Sequence, residues 1–286
     1  MKSLSRYLVL LLAVLYSVTA VAEMPEITDM TGRKVKIPAG AERILTTCTS
    51  VTDTLLRLKQ RQIIAGCDEY SIMLPEMSGA AVLAHGGSIA RENVIASGIT
   101  LAFVWWYQDE TAEQLANLNI PVVRIKLNSV KDIPQLLRLV GRCVNRKESS
   151  EKMAIEIEHY LSQTTNNQTL ARPTVYWELY TPFRTAGAGS YLDDLLRLAG
   201  GVNPVSKPGS MQFSAESLLQ SNPDVVLLVD GYATVTEFAS RSGLSGLSAV
   251  KNNRVYCVPK QVLVAGAGLP ESVAVIRRII LRENKG

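Results

Sequence analysis

Two segments of the chain read as loose copies of one another: Glu92-Asn-Val-Ile-Ala-Ser-Gly-Ile-Thr-Leu-Ala-Phe-Val and Glu216-Ser-Leu-Leu-Gln-Ser-Asn-Pro-Asp-Val-Val-Leu-Leu. Each combines a short acidic-headed helix, a tight turn and an apolar run suited to a buried strand. A unit used twice predicts two similar lobes. Two lobes leave a cleft between them, and a cleft implies a ligand.

The chain opens with Lys2 and Arg6, an apolar run from Tyr7 to Val18, and Ala20-Val21-Ala22. That order is a secretory leader with its cleavage site, and the run is shorter than the ~20 residues a membrane span needs. Residues 1–22 are therefore expected to be a cleaved signal peptide, and no cysteine precedes Cys48 to accept a lipid. The rest exceeds one ordinary core of ~150 residues, so two domains are expected. Residues 23–146 form one lobe, 147–166 a linker helix and 167–286 the other lobe. The 30 basic and 26 acidic residues are interspersed, with no basic block interleaved with aromatics, so nucleic acid is excluded as a partner.

Four cysteines in an oxidising compartment admit three connectivities. Cys48 and Cys67 end strand-like runs expected to be neighbours, so Cys48–Cys67 is the favoured disulfide. Cys143 and Cys257 are left free or bridge the lobes. No Cys-x-x-Cys spacing occurs, and neither His85 nor His159 stands in a ligand cluster, so no metal site is expected.

From residue 43 to 143, apolar runs alternate with helical periods. Strands are expected at Arg43–Thr47, Gln62–Gly66, Leu101–Trp105 and Pro121–Ile125, with helices at Val51–Leu58, Thr111–Leu118 and Ile133–Val140. Asp29–Pro38 reads as a hairpin or an extended arm. The segment 147–165 lacks glycine and proline and reads as one long helix. Beyond it, strands at Thr174–Glu178, Val225–Val229 and Val255–Val258 alternate with helices at Tyr191–Ala199, Ala215–Ser221, Thr236–Ser240 and Glu271–Leu281. The fold class is α/β: two Rossmann-like lobes with parallel sheets, joined by a single helix.

In open α/β sheets the ligand lies beyond the carboxyl ends of the strands. Those ends carry Cys48-Thr49-Ser50, Asp68-Glu69-Tyr70 and Trp105-Trp106-Tyr107 in the first lobe, and Trp177, Tyr180, Arg184 and Tyr232 in the second. Tyr70, Trp105, Trp106, Trp177, Tyr180, Arg184 and Tyr232 are the candidate ligand contacts, because aromatic walls with few charges suit a large, flat, partly apolar ligand. The competing reading of Trp105 and Trp177 is that each closes its own core. Trp105 and Trp106 are adjacent and point to opposite faces of a strand. Arg184 is placed to meet an acidic group or to be a solvated charge.

No catalytic constellation is assembled, and an enzyme is not expected; only Asp68, Glu69 and Glu178 stand ready as acid or base. Glu92 and Glu216 admit two readings. Each sits in a helical first turn, where a carboxylate meets the helix dipole favourably by about 0.3–1 kcal/mol. Alternatively, each lobe projects one carboxylate toward a partner with matching arginines.

These residues resemble a family: the periplasmic (class III) substrate-binding proteins of iron-siderophore, haem and cobalamin ABC importers. The resemblance is carried by Ile27-Thr-Asp-Met-Thr-Gly-Arg-Lys-Val-Lys-Ile-Pro, Glu42-Arg-Ile-Leu, the Glu92 segment, Thr185 through Asn203, and Ser214 through Leu228. It implies a monomer in the periplasm that delivers its ligand to an ABC permease dimer with a cytoplasmic ATPase, Glu92 and Glu216 docking on permease arginines. The implied cargo is a metal chelate or corrinoid, cobalamin or ferric siderophore, with haem the alternative. Cobalt or iron would arrive within the cargo, and no resident cofactor is implied. Tyr70 and Trp105 match aromatic walls of cobalamin binders, whereas Lys207–Phe213 lacks a tryptophan those binders can carry. The family's Pro-Asp before the first-lobe strand is replaced here by Ile99-Thr100, while Pro223-Asp224 keeps it in the second lobe.

Overall fold

The structure is a computed structural model that describes residues 24–164 and 172–281. The leader expected at 1–22 lies outside the described residues.

A hairpin of β1 (Glu26–Thr28) and β2 (Lys34–Lys36) fills the segment expected to be a hairpin or arm. The first lobe then runs β3 (Ile44–Thr46), α1 (Thr49–Arg57), β4 (Ile64–Asp68), β5 (Val82–His85), β6 (Ser88–Ile89), α2 (Arg91–Ala96), β7 (Leu101–Trp105), α3 (Asp109–Ala116), β8 (Val122–Ile125) and α4 (Ile133–Cys143). Its sheet has the order β6-β5-β4-β3-β7-β8, parallel except for the short antiparallel β6. After α5 (Lys147–Thr164) come β9 (Val175–Glu178), β10 (Arg184–Ala186), α6 (Tyr191–Ala199), β11 (Ser210–Gln212), α7 (Ala215–Ser221), β12 (Val225–Val229), α8 (Val235–Ser240), α9 (Ser248–Lys251), β13 (Val255–Val258) and α10 (Leu269–Ile280). The second sheet is parallel in the order β13-β12-β9, with β10 and β11 paired antiparallel beside it.

Strict alternation along the central strands explains both sheets. Leu101 and Phe103 enter one core, while Ala102 and Val104 enter the core on the opposite face. Val225, Leu227 and Val229 face one way in the second lobe, and Val226 and Leu228 the other. Strands covered on both faces carry no polar side, which is why they read as continuous apolar runs.

The two helices between the sheets are not symmetrical. Leu136, Leu139, Val140 and Cys143 of α4 pack into the first lobe, whereas Ile133 and Leu137 join Ala154 and Ile157 of α5 in the second lobe's core. The crossing is close: a Cβ on Gly141 would lie 1.8 Å from Ser150 Oγ. The lobes also touch directly. Arg57 of α1 bonds Glu271 of α10 at 3.4 Å, and Gln261 Nε2 donates to the carbonyl of Met73 at 3.1 Å.

The expected Cys48–Cys67 disulfide is corrected: all four cysteines are free thiols. The register pairs Cys67 with Thr46, so Cys48 stands two residues further along its own chain. At ~4.8 Å between strands and ~3.3 Å per residue, the two Cα atoms are roughly 8 Å apart, beyond disulfide reach. Burial also pushes both thiols up, Cys67 to about 11, which suppresses the reactive thiolate. Cys143 is buried and Cys257 exposed, so neither bridges the lobes.

Candidate functional site

The first sheet reverses its winding at β3, which lies between β4 and β7, so a crevice opens beyond the carboxyl ends of these three strands. Those ends deliver Thr49 and Ser50 after β3, Asp68 and Tyr70 after β4, and Trp105 and Tyr107 after β7. Across from them, Tyr180 follows β9, Tyr232 follows β12 and Lys260 follows β13. The two sets line one cavity of about 360 Å³ between the lobes, completed by Met73, Leu127, Tyr191 and Leu263–Ala265. A larger, shallower groove of about 810 Å³ runs along the first lobe's flank beside Lys34 and Asp109. It gathers no aromatic side chain and touches one lobe only, so the cleft is the candidate site.

Both walls are held by buried or half-buried polar anchors. Gln108 Oε1 accepts from Trp105 N at 3.0 Å and from Thr47 Oγ1, fixing the turn that carries Trp105 and Tyr107. Their rings stack 6.3 Å apart and 5° from parallel. Opposite, Glu178 is 1% exposed and accepts from Phe183 N at 2.9 Å and from Arg241 at 2.7 Å. This ties down the turn bearing Tyr180 and keeps Phe183 left-handed at φ 61°, a conformation a bulky residue adopts only when its surroundings enforce it. Tyr180 and Tyr232 meet edge to face at 5.3 Å, and the Lys260 ammonium lies 4.5 Å above the Tyr232 ring.

Four tyrosines around the cavity are well exposed: Tyr70 by 51%, Tyr107 by 61%, Tyr180 by 49% and Tyr232 by 37%. Grouped aromatic surface of this kind marks a binding site. Asp68 is the one carboxylate lining the cavity. Burial pushes its carboxyl up to about 6, against the hydrogen bond it accepts from Ser71 N. The cavity adjoins a second hollow of about 380 Å³ that shares Asp68, Tyr70 and Tyr107 and continues past Glu69 and His85. There Glu69 accepts from Gly86 N at 2.9 Å and lies 3.7 Å from His85 Nδ1. Among the described residues, no three His, Cys, Asp or Glu side chains converge as a metal site.

Of the seven expected ligand contacts, Tyr70, Trp105, Tyr180 and Tyr232 line the cavity. Trp177 does not: it is fully buried in the second lobe's core, because β9 is covered on both faces. Trp106, one residue past β7, turns outward at 43% exposure with Lys126 5.4 Å above its ring. Arg184 lies in β10 opposite Gln212, away from the cavity. Lys260 and Tyr191 also line the cavity and are not among the ligand contacts that the sequence pattern marks. The strand-end rule, applied to Val258-Pro259-Lys260, finds the lysine; Tyr191 carries no signal beyond heading a helix.

Glu92 and Glu216 both stand exposed in first turns, of α2 and α7. One helical turn on, each is followed by an exposed apolar side chain, Ile95 at 58% and Leu219 at 38%. The caps differ: Ser214 Oγ accepts from Ser217 N at α7, whereas Ala90 gives α2 no side-chain cap.

The family model described as "Periplasmic binding protein" matches residues 44–262. The chain belongs to this family. It is 23% identical over 284 residues to the molybdate-binding protein MolA of Haemophilus influenzae, covering 87% of this chain and 81% of that protein. It is 24% identical over 250 residues to a cobalamin-binding protein of Halobacterium salinarum, covering 82% of this chain and 66% of that one. Among solved structures, the haem-binding protein HmuT superposes with a TM-score of 0.77 at 21% identity, over 92% of this chain and 93% of that chain. The two-lobed α/β fold is thus the fold of this family's members. Membership makes the chain a substrate-binding protein of ABC importers and implies an extracytoplasmic location, with a permease, an ATPase and a small-molecule ligand as partners. Among the described residues, no helix is long and apolar enough to cross a membrane.

Proposed function

We propose that this chain captures a metal chelate of the cobalamin or ferric-siderophore type in the cleft and hands it to its permease. One observation carries this reading: exposed tyrosines from both lobes, together with Trp105, face a single interlobe cavity and leave aromatic surface unsatisfied until a flat ligand covers it. The adjoining hollow lets a bulky chelate extend past the rim. The chain acts as a carrier rather than an enzyme: Glu178 is held by Arg241 and Glu69 by Gly86, which leaves Asp68 as the one carboxylate lining the cavity. Cobalt or iron comes with the cargo. Residues 1–22 act as the cleaved leader, and the mature protein works as a periplasmic monomer.

Glu92 and Glu216 serve as the feet that meet arginines of the permease dimer, each with its apolar neighbour, Ile95 or Leu219, in the same footprint. The test of the cargo is a titration of tryptophan fluorescence with cyanocobalamin and ferric siderophores. Quenching by at least one is expected; no response to any, from folded protein, overturns the reading. Haem is the alternative cargo, favoured by the phenol of Tyr70 at the mouth, because phenol oxygen is an axial ligand of haem iron. A Soret band that forms on the wild type and fails to form on Tyr70→Phe would decide for haem.

A further inference from the structure

Aromatic walls leave three features of the cleft unused. The first turn of α1 points into the cavity with no side-chain cap at Cys48 and no acidic residue, so the N–H groups of Thr49 and Ser50 lie ahead of the helix's own ladder. Ser50 is 2% exposed, lines the cavity, and has no hydrogen-bond partner for its hydroxyl among the described residues. Lys260, from the opposite lobe, is half-buried with no carboxylate within 4.0 Å among the described residues. The Ser50 hydroxyl and the Lys260 ammonium, the latter resting on the Tyr232 ring, therefore face one hollow as donors that no carboxylate of the described residues engages and that a ligand can take up.

We propose that Thr49, Ser50, the amino end of α1 and Lys260 form an anion pole in the cleft that binds a tetrahedral oxyanion. The proposal deepens the reading of the cleft as the ligand site and rests on it. The helix dipole and N–H groups take the oxygens from one lobe, the Ser50 hydroxyl adds a donor, and the ammonium closes from the other. The oxyanion is either the whole cargo, as a free phosphate- or molybdate-like ion, or an acidic group on a larger chelate whose flat part lies against the tyrosines. Asp68 opposes it from the first lobe's wall, with one oxygen occupied by Ser71 N. That carboxylate sets the limit on affinity.

The test is calorimetry on the mature protein with sodium molybdate, sulfate and phosphate as separate probes. A second arm compares cyanocobalamin, which carries a phosphodiester, with dicyanocobinamide, which lacks it. We expect binding that weakens with added salt, a loss of at least about tenfold in Lys260→Gln and in Ser50→Ala, and a gain in Asp68→Asn. Lys126→Gln, outside the cavity, is the control and leaves affinity unchanged. Binding of a free ion assigns the pole to the ion itself; binding of cyanocobalamin over dicyanocobinamide, with the preference erased in Lys260→Gln, assigns it to a group on the cargo. If Lys260→Gln and Ser50→Ala, folded by circular dichroism, bind every probe as the wild type does, the anion pole is wrong and the chelate reading stands. If folded wild type binds none of them, the anion pole falls, and the chelate reading then stands or falls on the ferric-siderophore titration.

Discussion

The first lobe carries a six-stranded sheet and the second a three-stranded one, yet both meet the cleft with side chains placed just beyond strand ends. They divide the chemistry. The first lobe contributes the hydroxyls of Thr49 and Ser50 and the carboxyl of Asp68; the second contributes the ammonium of Lys260; each supplies aromatic surface. The contrast teaches that two sheets of unequal size can present a ligand by the same strand-end rule while their walls carry different chemistry. It also separates two kinds of constraint: strand ends fix where a residue stands, and each lobe's own packing decides whether that residue is free to reach a ligand.

The outer surface tests how alike the lobes remain. Replacing Glu92 and Glu216 together by lysine should abolish uptake in cells lacking other carriers, while ligand affinity measured on the purified protein stays at the wild-type value. Each single reversal should have a partial effect, of similar size if the two feet are equivalent. Wild-type uptake by the double variant would remove the docking role.

Packing distinguishes the lobes more sharply. A Cβ at Gly187 would meet the backbone carbonyl of Lys207 at 1.7 Å, whereas one at Gly66 would meet the side chain of Leu83 at 2.3 Å. A side chain can rotate away and a paired backbone cannot. Gly187→Ala should therefore cost about 3 kcal/mol in urea denaturation and Gly66→Ala about 1 kcal/mol. Equal losses would show that Leu83 is as immobile as the Lys207 backbone.

Asp68 gives the first lobe a pH dependence. Its folded carboxyl titrates at about 6, above its ordinary value, through burial. The folded chain thus holds a proton that the unfolded chain has released, so this contribution to stability is full below about pH 4 and is lost as pH rises through 6. Asp68→Asn should raise stability by about 3 kcal/mol at pH 8 and by about half as much at pH 5, read as the difference in unfolding midpoints. A variant equally stabilised at both values would point to a cause other than charge burial.

The smallest effect concerns the caps. Ser214→Ala should cost about 1 kcal/mol, because Ser217 N loses its acceptor at α7. Ala90→Ser at the uncapped α2 should gain about 0.5 kcal/mol. If both changes were neutral, the two repeats would be held by their tertiary contacts alone.

Much of this architecture was readable from residue pattern. Tyr191–Ala199 and Ala215–Ser221 form helices at the expected bounds, and the central strands fall within a few residues of their apolar runs. What escaped was short and marginal. β5 and β6 form a hairpin around Gly86 and Gly87, both at positive φ, which is a turn signal that the flanking Val82–His85 was too weak to support as a strand. β10 and β11 are three residues each and carry polar side chains, so no periodicity marks them. In the site, the strand-end rule found positions and could not find orientation. Trp177 sits in a strand covered on both faces, and Trp106 one step past its strand's end; only the packing around them shows that neither reaches the cavity.

The sharing of α4 between two cores bears on how this protein can be taken apart. Its residues alternate between the lobes, Ile133 and Leu137 to one, Leu136, Leu139 and Val140 to the other. A cut at the turn between α4 and α5 would leave each fragment with an unfinished core and a matching apolar stripe. The fragments would then recover order by finding each other, which makes that turn a natural seam for a complementation sensor of cargo binding and a poor place to look for an autonomous half.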